Sequence, residues 1–166
     1  IGVGAIGART AQLCLAFGCK VLGYCRHPEK NPVPGVTYVG LEELLKSSDI
    51  VSLHCPQTPE TIGLINRERL ALMKNTAILI NAARGPIVDS QALADALNEG
   101  RLAGAGIDVF EQEPPLDTKH PLLHSKNALV TPHVAFASEE SMVMRAEIVF
   151  DNIQAWLNGS QKNIIL

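Results

Sequence analysis

Three short apolar runs in the second half of the chain each break off into polar residues, and this pattern constrains the fold more than any other feature. Ala77-Ile78-Leu79-Ile80 leads into Asn81-Ala82-Ala83-Arg84-Gly85. Gly104-Ala105-Gly106-Ile107 leads into Asp108-Val109-Phe110-Glu111-Gln112-Glu113-Pro114, and Ala128-Leu129-Val130 into Thr131-Pro132-His133. Strand-like and helix-like segments alternate along the whole chain, which predicts an α/β fold with a doubly wound parallel sheet. Arg84, Glu113 and His133 then stand at the carboxyl edge of one sheet, where open α/β folds bind ligands. A guanidinium, a carboxylate and an imidazole gathered there make an anion holder and a proton-transfer pair.

The remaining elements follow from local signals. Residues 8–17 read as a helix closed by Gly18, and 21–24 as the next strand, followed by a turn rich in proline (Pro28, Pro32, Pro34). Residues 41–47 form a short helix and 50–54 a buried strand. Asn66 caps a helix running to about Met73, and Asp89 or Ser90 starts another that Gly100 ends. Ser138 supplies a capping hydroxyl for a long helix, with Glu139 and Glu140 in its positive first turn. Met142, Ile148, Val149, Ile153 and Trp156 recur along that helix at roughly helical spacing.

At 166 residues the chain can bury one good core. A formal charge of −3 and 4% aromatic residues give neither a basic field nor a stacking surface for nucleic acid. No apolar run approaches the roughly 20 residues of a membrane span. Cys14, Cys19, Cys25 and Cys55 show neither CxxC nor metal-ligand spacing, so reduced thiols in a cytoplasmic protein without a metal are expected.

The chain opens on Gly2-Val3-Gly4-Ala5-Ile6-Gly7. In a dinucleotide-binding turn, Gly2 allows the tight bend, Gly4 the close approach of a pyrophosphate, and Gly7 the packing of helix on strand. The helix N-terminus then meets the phosphates with free N–H groups. Such a turn follows a central strand, and only Ile1 precedes it, so the sequence reads as truncated at its N-terminus. An acidic residue after the second strand would hold the ribose of NAD, but Tyr24-Cys25-Arg26-His27 contains none. Arg26 is either a surface cation or a partner for a 2′-phosphate, a mild lean towards NADP. Asp108 is placed to cap a turn or to accept a bond from a cofactor amide.

Together with His54-Cys55-Pro56-Gln57-Thr58-Pro59-Glu60-Thr61, these stretches resemble the cofactor domain of the D-isomer-specific 2-hydroxyacid dehydrogenases over essentially the whole chain. The run from Thr131 to Ser138 looks most like the glycerate dehydrogenase or hydroxypyruvate reductase branch. The resemblance implies that Arg84 binds the substrate's carboxylate and carbonyl, that His133 is the acid/base with Glu113 as its partner, and that Asp108 lies near the nicotinamide. It also implies NAD or NADP held by Gly2, Gly4, Ala5, Ile6, Gly7, Cys25, Arg26, His54, Cys55, Pro56, Thr61, Ala82, Ala83, Arg84, Asp108 and His133. A small 2-oxo or 2-hydroxy acid substrate and a homodimer are expected with it. Residues 1–140 are expected to form the dinucleotide-binding domain with its first strand mostly absent. Residues 141–166 form a helix and tail returning to a substrate domain that is largely missing. The rival from another functional class is a nucleotide-sensing corepressor, since the C-terminal binding proteins share this domain. Formate dehydrogenases carry glutamine where Glu113 stands, and a methyltransferase leaves Arg84, Glu113 and His133 unexplained.

Overall fold

Strands β1 (Val21–Gly23) and β2 (Val36–Tyr38) pair in parallel. Strands β3 (Ile50–Leu53), β4 (Ile78–Asn81), β5 (Gly104–Ile107) and β6 (Ala128–Val130) form a second parallel sheet in that order. This computed structural model describes residues 1–30, 32–112 and 115–164. Ile1 and Gly2 lie where the two sheets meet. The Gly2 N–H donates to Tyr24 O (2.8 Å), while Ile1 O accepts from the His54 N–H (2.7 Å). The parallel α/β architecture is the one expected from the alternation of segments.

Helices α1 (Ala5–Ala16), α2 (Leu41–Ser47), α3 (Arg67–Leu70), α4 (Ser90–Asn98) and α5 (Glu139–Leu157) alternate with the strands. Each of the expected caps is formed. Asn66 accepts from the Arg69 N–H, Asp89 from the Ala92 N–H and Ser138 from the Ser141 N–H. Three boundaries differ from the sequence reading. Helix α1 starts at Ala5 rather than residue 8, because Gly4 is already its extended N-cap. Helix α3 stops at Leu70, short of Met73. Strand β2 was not anticipated in the proline-rich stretch, where only the edge of β1 makes a strand of three residues.

The chain divides into two compact units, Ile1–Pro132 and His133–Leu166. In the first, the core gathers Leu45 of α2, Leu70 of α3 and Leu93 and Leu97 of α4 with Val51, Leu53, Leu79 and Ile107 of the sheet. These strand residues alternate with exposed ones, Ile50, Ile78, Ile80 and Leu129. The strands therefore bury one face of the pleat fully and the other much less, as a period of two requires. In the second unit, α5 carries one buried residue, Ala155, and the side chains of Met142, Ile148, Val149, Ile153 and Trp156 are exposed. Among the described residues, no helix is long and apolar enough to cross a membrane.

Candidate active site

The glycine turn is shaped by backbone contacts rather than by side chains. Gly2 has φ +87°, and a Cβ there would meet Cys55 N at 2.5 Å. A Cβ on Gly7 would meet Gly2 O at 2.0 Å, so the first turn of α1 lies directly on the turn that leads into it. Neither position can carry a side chain without moving backbone. Gly4 differs: nothing lies within 4 Å of a Cβ built there, and no side chain caps the helix behind it. Ala5 and Ile6 are exposed at the same end. The first N–H groups of α1 thus face open space with a partial positive charge, and they fit a pyrophosphate.

The loop after β3 closes the other side of this turn. Ser52 Oγ and His54 Nε2 are 2.9 Å apart, and Thr61 ties the loop together by donating to Pro56 O and accepting from the Thr58 N–H, both at 2.7 Å. Thr61, expected at the cofactor, has its hydroxyl engaged within the loop. Burial pulls the His54 imidazole down from its ordinary pKa and pushes the buried Cys55 thiol up. Arg26 is exposed beyond β1 and Cys25 is half-buried. Glu60 is held below the usual carboxylate range by its bond with Thr58, then by its own backbone, with a smaller contribution from the Arg26 charge.

Arg84 sits three residues past β4, exposed, with Nη1 donating to Ala83 O at 2.6 Å. Its backbone precedes the 3-10 turn Gly85–Ile87. A Cβ on Gly85 would stand 1.9 Å from Phe110 C and 2.0 Å from Phe110 O. The turn that displays the guanidinium is therefore seated directly on the backbone leaving β5. Ala82 is exposed and Ala83 half-buried in the same turn, while Pro56 is exposed in the loop after β3.

Asp108 follows β5 and is buried. It accepts from Thr131 Oγ1 at 2.5 Å, and its N–H donates to Asn81 O at 2.9 Å. The ends of β4, β5 and β6 are thereby cross-linked through Asn81, Asp108 and Thr131, which supports the view of Asp108 as a turn anchor. Glu113 lies outside the described residues. His133 opens the second unit at φ +57°, in a left-handed conformation that a residue with Cβ adopts at a cost. Its ring meets Phe136 edge-on at 5.9 Å, and Arg145 stands 5.3 Å over the Phe136 ring.

The sequence reading missed two polar features of the first unit. Asn81 is buried and bonds within the Arg84 turn, a role signalled only by an asparagine ending an apolar strand. Glu111 pairs with His120 at 3.1 Å, and His120 packs edge-on to Phe110. Glu111 and His120, with Asp89 and Ser90, line a cavity of about 520 Å³ beside α4. No local sequence signal joins two residues nine positions apart across an irregular loop.

The profile of the family described as "D-isomer specific 2-hydroxyacid dehydrogenase, NAD binding domain" matches residues 1–135. The chain is 43% identical to hydroxypyruvate reductase of Blautia hydrogenotrophica over 99% of its own length and 51% of that protein. It is 47% identical to glyoxylate reductase of Thermofilum pendens over 96% of its length and 48% of that protein. It thus spans about half the length of the curated relatives it matches. Among solved structures, D-lactate dehydrogenase with NAD+ from Lactobacillus jensenii superposes with a TM-score of 0.89 at 37% identity, covering 99% of this chain and 53% of that one. The glycine turn, the parallel sheet and the motif set agree with the matched profile, and the chain belongs to the D-isomer specific 2-hydroxyacid dehydrogenase family through its NAD-binding domain.

Proposed function

We propose that the protein interconverts a small 2-oxo acid and its D-2-hydroxy acid with NAD(P), with hydroxypyruvate or glyoxylate as the favoured substrate. The observation that carries this reading is the exposed Arg84 guanidinium, presented just past β4 by a turn seated on the backbone leaving β5. The names of the relatives, hydroxypyruvate reductase and glyoxylate reductase, support the choice of substrate.

In reduction, negative charge grows on the carbonyl oxygen of the substrate. Arg84 offers N–H donors to the carboxylate and to that oxygen, and removing such a donor typically costs about 10²–10³ in rate. A nicotinamide cofactor, when bound, would supply the hydride. His133 gives its proton to the oxygen, and in oxidation takes it back. Glu113 is read as its carboxylate partner, as the resemblance to the family implies. Asp108, anchored by Thr131, would accept a bond from the amide of a bound nicotinamide.

Arg26 directs the preference mildly towards NADP, supported by its exposure and by the lack of an acid between Tyr24 and His27. A cytoplasmic homodimer belongs to the same reading and rests on the family resemblance. The test is a screen of 2-oxo acids with NADH and NADPH, using the full-length protein. Turnover of hydroxypyruvate or glyoxylate is expected and would retire the nucleotide-sensing alternative. No turnover with any 2-oxo acid would sink the proposal. If Arg26→Ala leaves the ratio of kcat/KM for the two cofactors unchanged, the arginine is a surface cation only.

A further inference from the structure

Asn81 is the last residue of β4 and is 1% exposed, yet its side chain carries both a hydrogen-bond donor and an acceptor. A buried carboxamide must have its bonds met. Here both are met inside one turn: Nδ2 donates to Arg84 O at 3.0 Å, and Oδ1 accepts from the Ala83 N–H at 3.1 Å. The chemistry leaves a single orientation for the amide, since a carbonyl needs a donor and an N–H needs an acceptor. Ala83 is then held on both its polar groups, because its carbonyl accepts from Arg84 Nη1 at 2.6 Å. Asn81 O in turn accepts from the Asp108 N–H, so the brace rests on the next strand end. Beyond Arg84, Gly85 is pressed onto Phe110 and Glu111.

The guanidinium is exposed at the end of a long, flexible side chain with much freedom to lose, of which the backbone at Arg84 sets the origin. We propose that Asn81 is a positioning residue for Arg84: its carboxamide closes the turn and fixes the peptide from which the guanidinium reaches the substrate carboxylate. This inference rests on the reading of Arg84 as the substrate anchor.

The test is a double-mutant cycle in the full-length enzyme with a 2-oxo acid. Asn81→Asp keeps the shape and the acceptor for Ala83, but turns an oxygen towards Arg84 O. It is expected to lower kcat/KM for the 2-oxo acid by about tenfold or more, because small misplacements of a binding group are costly. The variant should keep the parent's far-UV circular dichroism and a single cooperative melting transition, which a general loss of structure would not allow. In an Arg84→Ala background the same substitution is expected to have almost no further effect on kcat/KM. If Asn81→Asp does not fold, Asn81→Ser removes the carboxamide without adding charge and is read in the same way. An equal loss in both backgrounds, or no loss with Arg84 present, overturns the proposal. An Arg84→Ala variant with unchanged kcat/KM would instead overturn the anchor reading itself.

Discussion

The glycine turn at residues 2–7 and the Arg84 turn at residues 81–85 both stand at the carboxyl edge of parallel strands, and both are pressed onto a neighbouring strand end. Gly2 rests on Cys55, Gly85 on Phe110. They differ in what they present. The first offers backbone N–H groups from an uncapped helix and leaves Gly4 with open space above it. The second offers one long cationic side chain and needs a buried asparagine to hold the peptide behind it. A site that reads phosphate can be built from main chain alone, since the helix end is itself the charge. The site read here as binding a small carboxylate uses a side chain, and the backbone carrying it must then be fixed by other means.

The strongest way to break this comparison is Gly85→Ala. The new Cβ would stand within 2.0 Å of the Phe110 carbonyl, and backbone would have to move. A loss of about 3 kcal/mol or more is expected, at the upper end for overpacked sites. A melting temperature close to that of the parent chain would show that the turn is not seated on β5 at all. Gly7→Ala, facing Gly2 O at 2.0 Å, should behave alike.

Next in size is Arg84→Ala in the full-length enzyme, expected to lower kcat/KM for a 2-oxo acid by at least about 10². Its melting curve should barely change, because the side chain is exposed. A large drop in stability would mean that the arginine holds the turn rather than the reverse. Gly4→Ala sharpens the contrast between glycines of one motif. It meets nothing within 4 Å, so stability should stay within about 1 kcal/mol of the parent. NAD(P) affinity should nonetheless fall, measured by titration calorimetry. Unchanged affinity would remove the pyrophosphate from that spot.

The smallest effect concerns the segment beneath Gly85. Burial raises the Glu111 pKa, but bonds with Ser90, its own backbone and His120 outweigh it and hold the carboxyl below its usual range. A depressed folded-state value gives stability that is present above the unfolded pKa and lost as pH falls through the folded one. Glu111→Gln should therefore destabilise most near neutral pH and least in acid. The difference should be under about 1 kcal/mol, since the carboxylate is 39% exposed and solvent screens it. Equal destabilisation at both pH values would show that the pair contributes shape rather than charge.

How much was legible beforehand differs between the helices. Helix α4 was readable because Asp89 caps it and Gly100, at φ +70°, ends it. Its apolar side chains are buried. Helix α5 was equally readable from Ser138, yet Met142, Ile153 and Trp156 are exposed. A hydrophobic stripe states that a face seeks cover, and says nothing about which surface covers it. The same limit hid β2, whose three residues pair only because β1 offers an edge.

Local chemistry is written in neighbouring residues, and it set the parallel α/β order, the helix caps, the glycine turn and the placing of Arg84 just past a strand. Steric rules and capping act over a few positions, so they can be read from a string. The brace from Asn81, the seat of Gly85 on Phe110, the Thr131–Asp108 bond and the Glu111–His120 pair came from the packing of strand ends on one another. The Gly85 seat and the Thr131–Asp108 bond join different loops, with partners chosen by which strands lie side by side, while the Asn81 brace and the Glu111–His120 pair close within one turn or loop whose path that packing sets.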